Sequence, residues 1–204
     1  MVNKQEDKIE AIVFDFGGVL STPGKIDFFC KRYATKLNKN PKEFMELIKE
    51  NWNKAQIDKI KSSLFWTKAT EFLEVNPGKF RQDLLNSFKF QEGVLTIIKI
   101  LKEKYKLGLL TNQIEDWLEE VIREHKLDGV FDVIVTSYES KIAKPDISIF
   151  KETIERLKVK PSECVYIDDL EKNIPSAQKL GMKTILFENN KQLIKDLRKL
   201  GVEI

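Results

Sequence analysis

The chain has 204 residues, 42% of them hydrophobic, which is enough for one large domain or for a core of roughly 130 residues carrying an insertion. Charged residues make up 33% but nearly cancel, leaving net +3, and lysines interleave with acids along helical stretches. This argues against a nucleic-acid surface, which usually needs clustered basic residues. Cys30 and Cys164 lie far apart and outside metal-ligand spacing, the first residues carry no apolar signal core, and no apolar run approaches about 18 residues; the expectation is a soluble cytoplasmic protein with reduced thiols and no membrane span.

The first structured stretch is Ala11-Ile-Val-Phe-Asp15-Phe-Gly-Gly-Val19. Four apolar residues leading into one aspartate and a glycine pair predict a strand buried on both faces, with Asp15 at its end. Ligands of parallel α/β sheets bind at the carboxyl ends of strands, so Asp15 stands where chemistry is done. Gly17 and Gly18 allow a sharp turn and close approach to a bound group.

Thr22-Pro-Gly24 reads as a turn, and the pattern then becomes helical. Ile26, Phe29, Cys30, Tyr33 and Leu37 hold one face of a first helix. Asn40-Pro-Lys-Glu43 starts a second: an N-cap residue, proline at the first helical position and glutamate at the third. Phe65, Ala69, Phe72 and Leu73 mark a third, which Asn76-Pro-Gly78 is expected to stop, and Phe80, Leu84 and Phe88 mark a fourth. Residues 22–90 therefore read as an all-helical insertion without strands. Asn51-Trp52 and Trp66 either line a cleft or fill its core; aromatics at helical spacing favour the core.

From Gln91 onward, strand and helix alternate. Helices carry Val94, Ile97 and Leu101, then Leu118 and Val121, then Phe150 and Ile154, then Ile174 and Ala177 before Gly181, and last Leu193 and Leu197. Between them fall strands at Leu107–Leu110, Asp132–Thr136, Cys164–Ile167 and Lys183–Phe187. With the first strand this predicts a five-stranded parallel sheet wrapped by helices on both faces, an α/β fold. The core covers 1–21 and 91–204. His125, the single histidine, reads as solvated surface.

The strand ends carry the chemistry. Asp15 ends the first, Thr111-Asn112 the second and Asp168-Asp169 the fourth, while Lys144-Pro145 follows the third. Each has an ordinary reading as a cap or a solvated side chain. All four on one sheet edge, in this order, do not.

These residues resemble the haloacid dehalogenase-like hydrolase superfamily. The matching motifs are Asp15-Phe-Gly-Gly-Val19, Leu109-Leu-Thr111-Asn112, Lys144-Pro-Asp146, and Tyr166-Ile-Asp-Asp169 followed by Asn173 and Ala177. The resemblance implies a Rossmann-like sheet of order 5-4-1-2-3, with residues 22–90 as the helical cap of subfamily I. It also implies a Mg²⁺-dependent phosphatase acting on a small phosphorylated metabolite. Asp15 would be the nucleophile and Lys144 the charge that steadies it. Thr111, Asn112 and Gly18 would contact phosphate or substrate, and Asp15, the Gly17 carbonyl, Asp168 and Asp169 would hold the metal. One departure stands out: Gly17 occupies the position where most phosphatases of the family carry a second aspartate as general acid and base. Two alternatives stay open, a phosphate-binding or regulatory protein with weakened turnover and a metal-independent 2-haloacid dehalogenase.

Overall fold

The computed structural model describes residues 7–22 and 26–204. Its strands are β1 (Ala11–Phe14), β2 (Ser21–Thr22), β3 (Lys89–Phe90), β4 (Lys106–Thr111), β5 (Val133–Thr136), β6 (Cys164–Asp168) and β7 (Lys183–Leu186). The helices are α1 (Asp27–Lys36), α2 (Pro41–Ala55), α3 (Ser62–Leu73), α4 (Pro77–Ser87), α5 (Glu92–Leu101) and α6 (Glu115–His125). After them come α7 (Ser137–Ser140), α8 (Ile147–Leu157), α9 (Ile174–Leu180) and α10 (Asn190–Lys199).

The large sheet is parallel, in the order β5-β4-β1-β6-β7. The labels differ from the expected 5-4-1-2-3 because β2 and β3 intervene in the count; the five core strands taken alone run in that order. β1 is central, and all four of its residues are buried. Its side chains alternate between two cores: Ile12 and Phe14 join the cluster on one face, Ala11 and Val13 the cluster on the other. Phe14 pairs with Leu109 on one side and Ile167 on the other, so the next residue, Asp15, falls level with the ends of β4 and β6.

Residues 27–87 hold α1 to α4. Phe44, Phe65 and Phe80 in these helices belong to the same buried cluster as Ile12 and Phe14. Asn40 caps α2 as expected, its side chain accepting from the Lys42 and Glu43 amides. Two local readings need correction. Asn76-Pro77 does not stop α3, which has already ended at Leu73 with Glu74 in the left-handed region. It starts α4 instead, through the same cap chemistry, Asn76 accepting from the Lys79 amide at 3.1 Å. Nor is the stretch free of strand, since β2 and β3 pair antiparallel at its two ends, Ser21 opposite Phe90. A two-residue strand has no period to read, and only the pairing partner makes it one. Of the expected Thr22–Gly24 turn, Thr22 lies in β2 and the rest lies outside the described residues.

Candidate active site

The register of the sheet determines what meets at its edge. Asp15 leaves β1 with its amide donating to the Ile167 carbonyl at 2.9 Å. Asp168 is the last residue of β6, and one carboxylate oxygen from each of Asp15, Asp168 and Asp169 lies within 4.8 Å of the others. Lys144 arrives from the loop between α7 and α8, beyond β5. Its ammonium lies 2.8 Å from Asp15 Oδ1 and 2.9 Å from Asp168 Oδ2, and donates to the Leu110 carbonyl at 3.0 Å. Lys144 is 4% exposed, Asp15 6% and Asp168 0%, so this charge group sits away from water.

Burial sets the electrostatics. It pushes the Asp15 carboxyl up to about 7; Lys144 pulls against that, and Asp168 and Asp169 push with it. Burial also pushes Asp168 up, but Lys144, the Tyr166 hydroxyl and the Leu170 amide outweigh it and hold the carboxyl below the ordinary range. For Lys144, burial acts downward and the two carboxylates outweigh it, raising it above an ordinary lysine.

Asp168 is the organiser of the group. Its Oδ2 accepts from Lys144, from the Tyr166 hydroxyl and from Asn173 Nδ2 at 2.9 Å, while Oδ1 accepts from the Leu170 amide at 2.7 Å. Neither Tyr166 nor Asn173 was given a role from sequence. Tyr166 did leave a signal: a hydroxyl inside an otherwise apolar buried strand must find a partner.

Three expected substrate contacts divide. Thr111 is buried and lines the cavity with Asp15 and Lys144. Asn112 also lines it, yet both ends of its amide are engaged by Lys144, Nδ2 donating to the Lys144 carbonyl and Oδ1 accepting from the Lys144 amide, each at 2.9 Å. It is a strut for the lysine before it is a substrate contact. The main chain of Gly18 is engaged elsewhere. Its amide donates to the Ser21 carbonyl at 2.8 Å, its carbonyl accepts from Gln91 Nε2 at 3.0 Å, and both main-chain groups are thereby turned to the β2–β3 stem. Glycine is required there for another reason: φ is +87°, and a Cβ would come within 2.3 Å of the Asp169 carboxyl.

The cavity has a volume of about 270 Å³. Gly17 lines it with Asp15, Thr111 and Lys144 on the sheet side; Ile26, Asp27, Trp52, Gln56 and Phe88 line it from the inserted helices and their return. Of the three residues singled out in the helical stretch, Trp52 lines the cavity, whereas Asn51 and Trp66 are buried. His125 is exposed at the end of α6, as expected, its ring 4.4 Å from Phe90.

Residues 12–187 match the family described as haloacid dehalogenase-like hydrolase. The chain belongs to that family. A glyceraldehyde 3-phosphate phosphatase from Pyrococcus furiosus is 34% identical over 105 residues, covering 50% of this chain and 43% of that protein. Bifunctional epoxide hydrolase 2 of Sus scrofa is 26% identical over 224 residues, 96% of this chain and 40% of that protein. This haloacid dehalogenase-like chain thus spans less than half the length of both curated relatives. Among solved structures, a family enzyme from Bacteroides thetaiotaomicron in complex with magnesium and inorganic phosphate superposes with a TM-score of 0.76, at 26% identity over 88% of this chain and 94% of that one. A haloacid dehalogenase-like hydrolase from Porphyromonas gingivalis shares the fold, with a TM-score of 0.78 at 22% identity over 97% of this chain and the whole of that one. Among the described residues no helix is long and apolar enough to cross a membrane.

Proposed function

We propose that the chain is a Mg²⁺-dependent phosphatase of small phosphorylated metabolites, with Asp15 as the nucleophile. The observation that carries this reading is the convergence of three carboxylates within 4.8 Å on a buried lysine 2.8 Å from Asp15. Three oxygen donors so close together are the donor set a hard divalent cation takes. Asp15, Asp169 and the Gly17 carbonyl would hold Mg²⁺, with Asp168 completing the set while its own hydrogen bonds fix Lys144. The bound ion supplies charge neutralisation between the nucleophile and the phosphoryl group, which two anions in a dry cleft require. The Bacteroides enzyme with magnesium and phosphate, and the phosphatase from Pyrococcus, support the reading.

The residues then divide the work. Asp15 attacks phosphorus in line, the ester oxygen leaves, and water later hydrolyses the aspartyl phosphate. Lys144 pulls Asp15 toward its ionised form against burial and neutralises the transferring group. The Thr111 hydroxyl and the adjacent amide bind phosphoryl oxygens. We read residues 22–90 as a cap over this edge, hinged near Ser21-Thr22 and Gln91-Glu92. The β2–β3 pairing and the cavity lining shared by Trp52 and Asp15 support that reading.

Purified protein with Mg²⁺ should release phosphate from p-nitrophenyl phosphate and lose that activity in chelator. Recovery on adding Mg²⁺ back is the expected result. Turnover of a small haloacid in chelator, with no phosphate release, would establish the dehalogenase alternative instead.

Gly17 sets the leaving-group preference. It is not among the left-handed glycines of the described residues, which are Gly18, Gly181 and Gly201. With no carboxylic acid there, a leaving alkoxide lacks the donor that a second aspartate would supply. Activity should be weak on alkyl phosphates and better on aryl or anomeric sugar phosphates. Gly17→Asp should raise the alkyl rate by about 10²-fold, the lower end of general acid catalysis, and the aryl rate much less. Equal wild-type rates on both classes, unchanged by the substitution, would show that the proton comes from elsewhere.

A further inference from the structure

The geometry points to the first turn of α6 as the node through which Trp66 and Arg81 position the inserted helices against the phosphate-side loops. Helix α6 begins at Glu115, four residues after Thr111. Its second residue, Asp116, takes two contacts from the insertion. Trp66 Nε1 on α3 donates to Asp116 Oδ2 at 2.8 Å, and Arg81 Nη2 on α4 donates to the Asp116 carbonyl at 2.8 Å. The same Arg81 nitrogen lies 2.7 Å from Glu120 Oε2, one turn along α6. The next residue, Trp117, packs its ring 4.8 Å from Phe88, where the insertion returns, and 5.6 Å from Phe16, the residue after Asp15. Two consecutive residues therefore touch both ends of the arrangement, the helices over the cavity and the loop that carries the nucleophile.

The indoles of this anchor are buried, Trp66 5% exposed and Trp117 2%, whereas the Arg81 and Asp116 side chains are 31% and 38% exposed. Near the C-terminal end of α2 the hold is weak. The Lys141–Asp58 ion pair stretches to 4.0 Å with the lysine 71% exposed, the kind of pair that contributes little. Trp52 and Gln56, which line the cavity, lie just before Asp58 in the chain. The inserted helices are thus held more firmly at α6 than at the Asp58 edge. The clamp has one bond still to make: Arg81 Nε is buried without a hydrogen-bond partner, 3.7 Å from Asp116 Oδ2.

Trp66 and Arg81 touch no reacting atom, so they act as positioning residues. The kinetic part of this inference rests on the phosphatase reading; the structural part does not. The test is the double variant Trp66→Phe/Arg81→Met, which keeps ring and stem but removes every donor of the clamp. With Mg²⁺ and p-nitrophenyl phosphate, KM should rise at least about tenfold, as expected for losing hydrogen bonds to charged groups, while the inhibition constant of inorganic phosphate, which meets only the sheet-side wall, stays within about twofold. Hydrogen exchange of α3 and α4 amides should be about tenfold faster or more, with β4 and β6 unchanged. Exchange in α3 and α4 equal to wild type overturns the node, as does a KM and a phosphate inhibition constant that move together. If wild-type protein releases no phosphate at all, the function reading fails and the exchange measurement alone decides the node.

Discussion

Asp15→Asn should abolish phosphate release, by at least about 10⁴-fold, while leaving the protein folded. The amide has the shape of the carboxylate, and its oxygen can still accept from Lys144 in place of Asp15 Oδ1, now 2.8 Å from the ammonium. What it lacks is an anionic oxygen to attack phosphorus, and no other step supplies one. The fold should not suffer. The bond that seats this residue on the sheet is main-chain, from the Asp15 amide to the Ile167 carbonyl. Burial pushes the Asp15 carboxyl up to about 7, which means that the ionised group is held at a cost an amide does not carry. Melting temperature in chelator should therefore stay level or rise. Rates and melting curves on the same preparation check both halves, and a variant retaining a tenth of wild-type turnover would remove Asp15 as the nucleophile.

The second large effect is on stability. Lys144→Met should lower the melting temperature by about 10 °C in the absence of metal. The ammonium is the shared partner of Asp15 and Asp168, and it also satisfies the Leu110 carbonyl. All three charged groups are nearly inaccessible to water. Methionine fills much of the same space but leaves two buried carboxylates facing each other and a carbonyl without its donor. Breaking a buried pair by removing one partner costs about 3–5 kcal/mol, and each kcal/mol moves the melting point of a domain this size by about 2–4 °C. Mg²⁺ should restore part of the loss, because the cation takes up the same negative charge. Turnover should fall at the same time by about 10²–10³-fold, the usual loss of one electrostatic stabiliser of the transition state. A melting point within a degree of wild type would show that the ion pairs are not holding this edge together.

Much of this was legible before any coordinates. Apolar runs ending in Asp15, Thr111 and Asp168 marked the strands, because a strand buried on both faces must be apolar throughout and can turn polar only where it stops. The helices over 27–87 followed from the 3.6-residue period and from Asn40-Pro41, whose cap chemistry is local to four residues. The order of the four motifs, three at strand ends and Lys144 in a loop further on, pointed to one sheet edge and to a carboxylate cluster there. Such signals are short-range or periodic, so the chain displays them directly.

What the fold alone decided depends on partners distant in sequence. Asn112 meets the main chain of Lys144 across 32 residues, Trp66 meets Asp116 across 50, and the Gly18 carbonyl meets Gln91 across 73. A side chain's hydrogen-bonding capacity is written in its type, but which of many equivalent partners it finds is not. The sequence offers Asn112 and Gly18 as substrate contacts, and only the fold shows that their bonding groups also meet the scaffold. The strands β2 and β3, two residues each, exist only because each is the other's partner. The sequence by itself determined the strand ends, the helical insertion and the set of groups available for chemistry. Tertiary packing decided which of those groups face the cavity and which hold the others in place, since most buried donors find an acceptor inside the protein and leave only the surplus for a ligand.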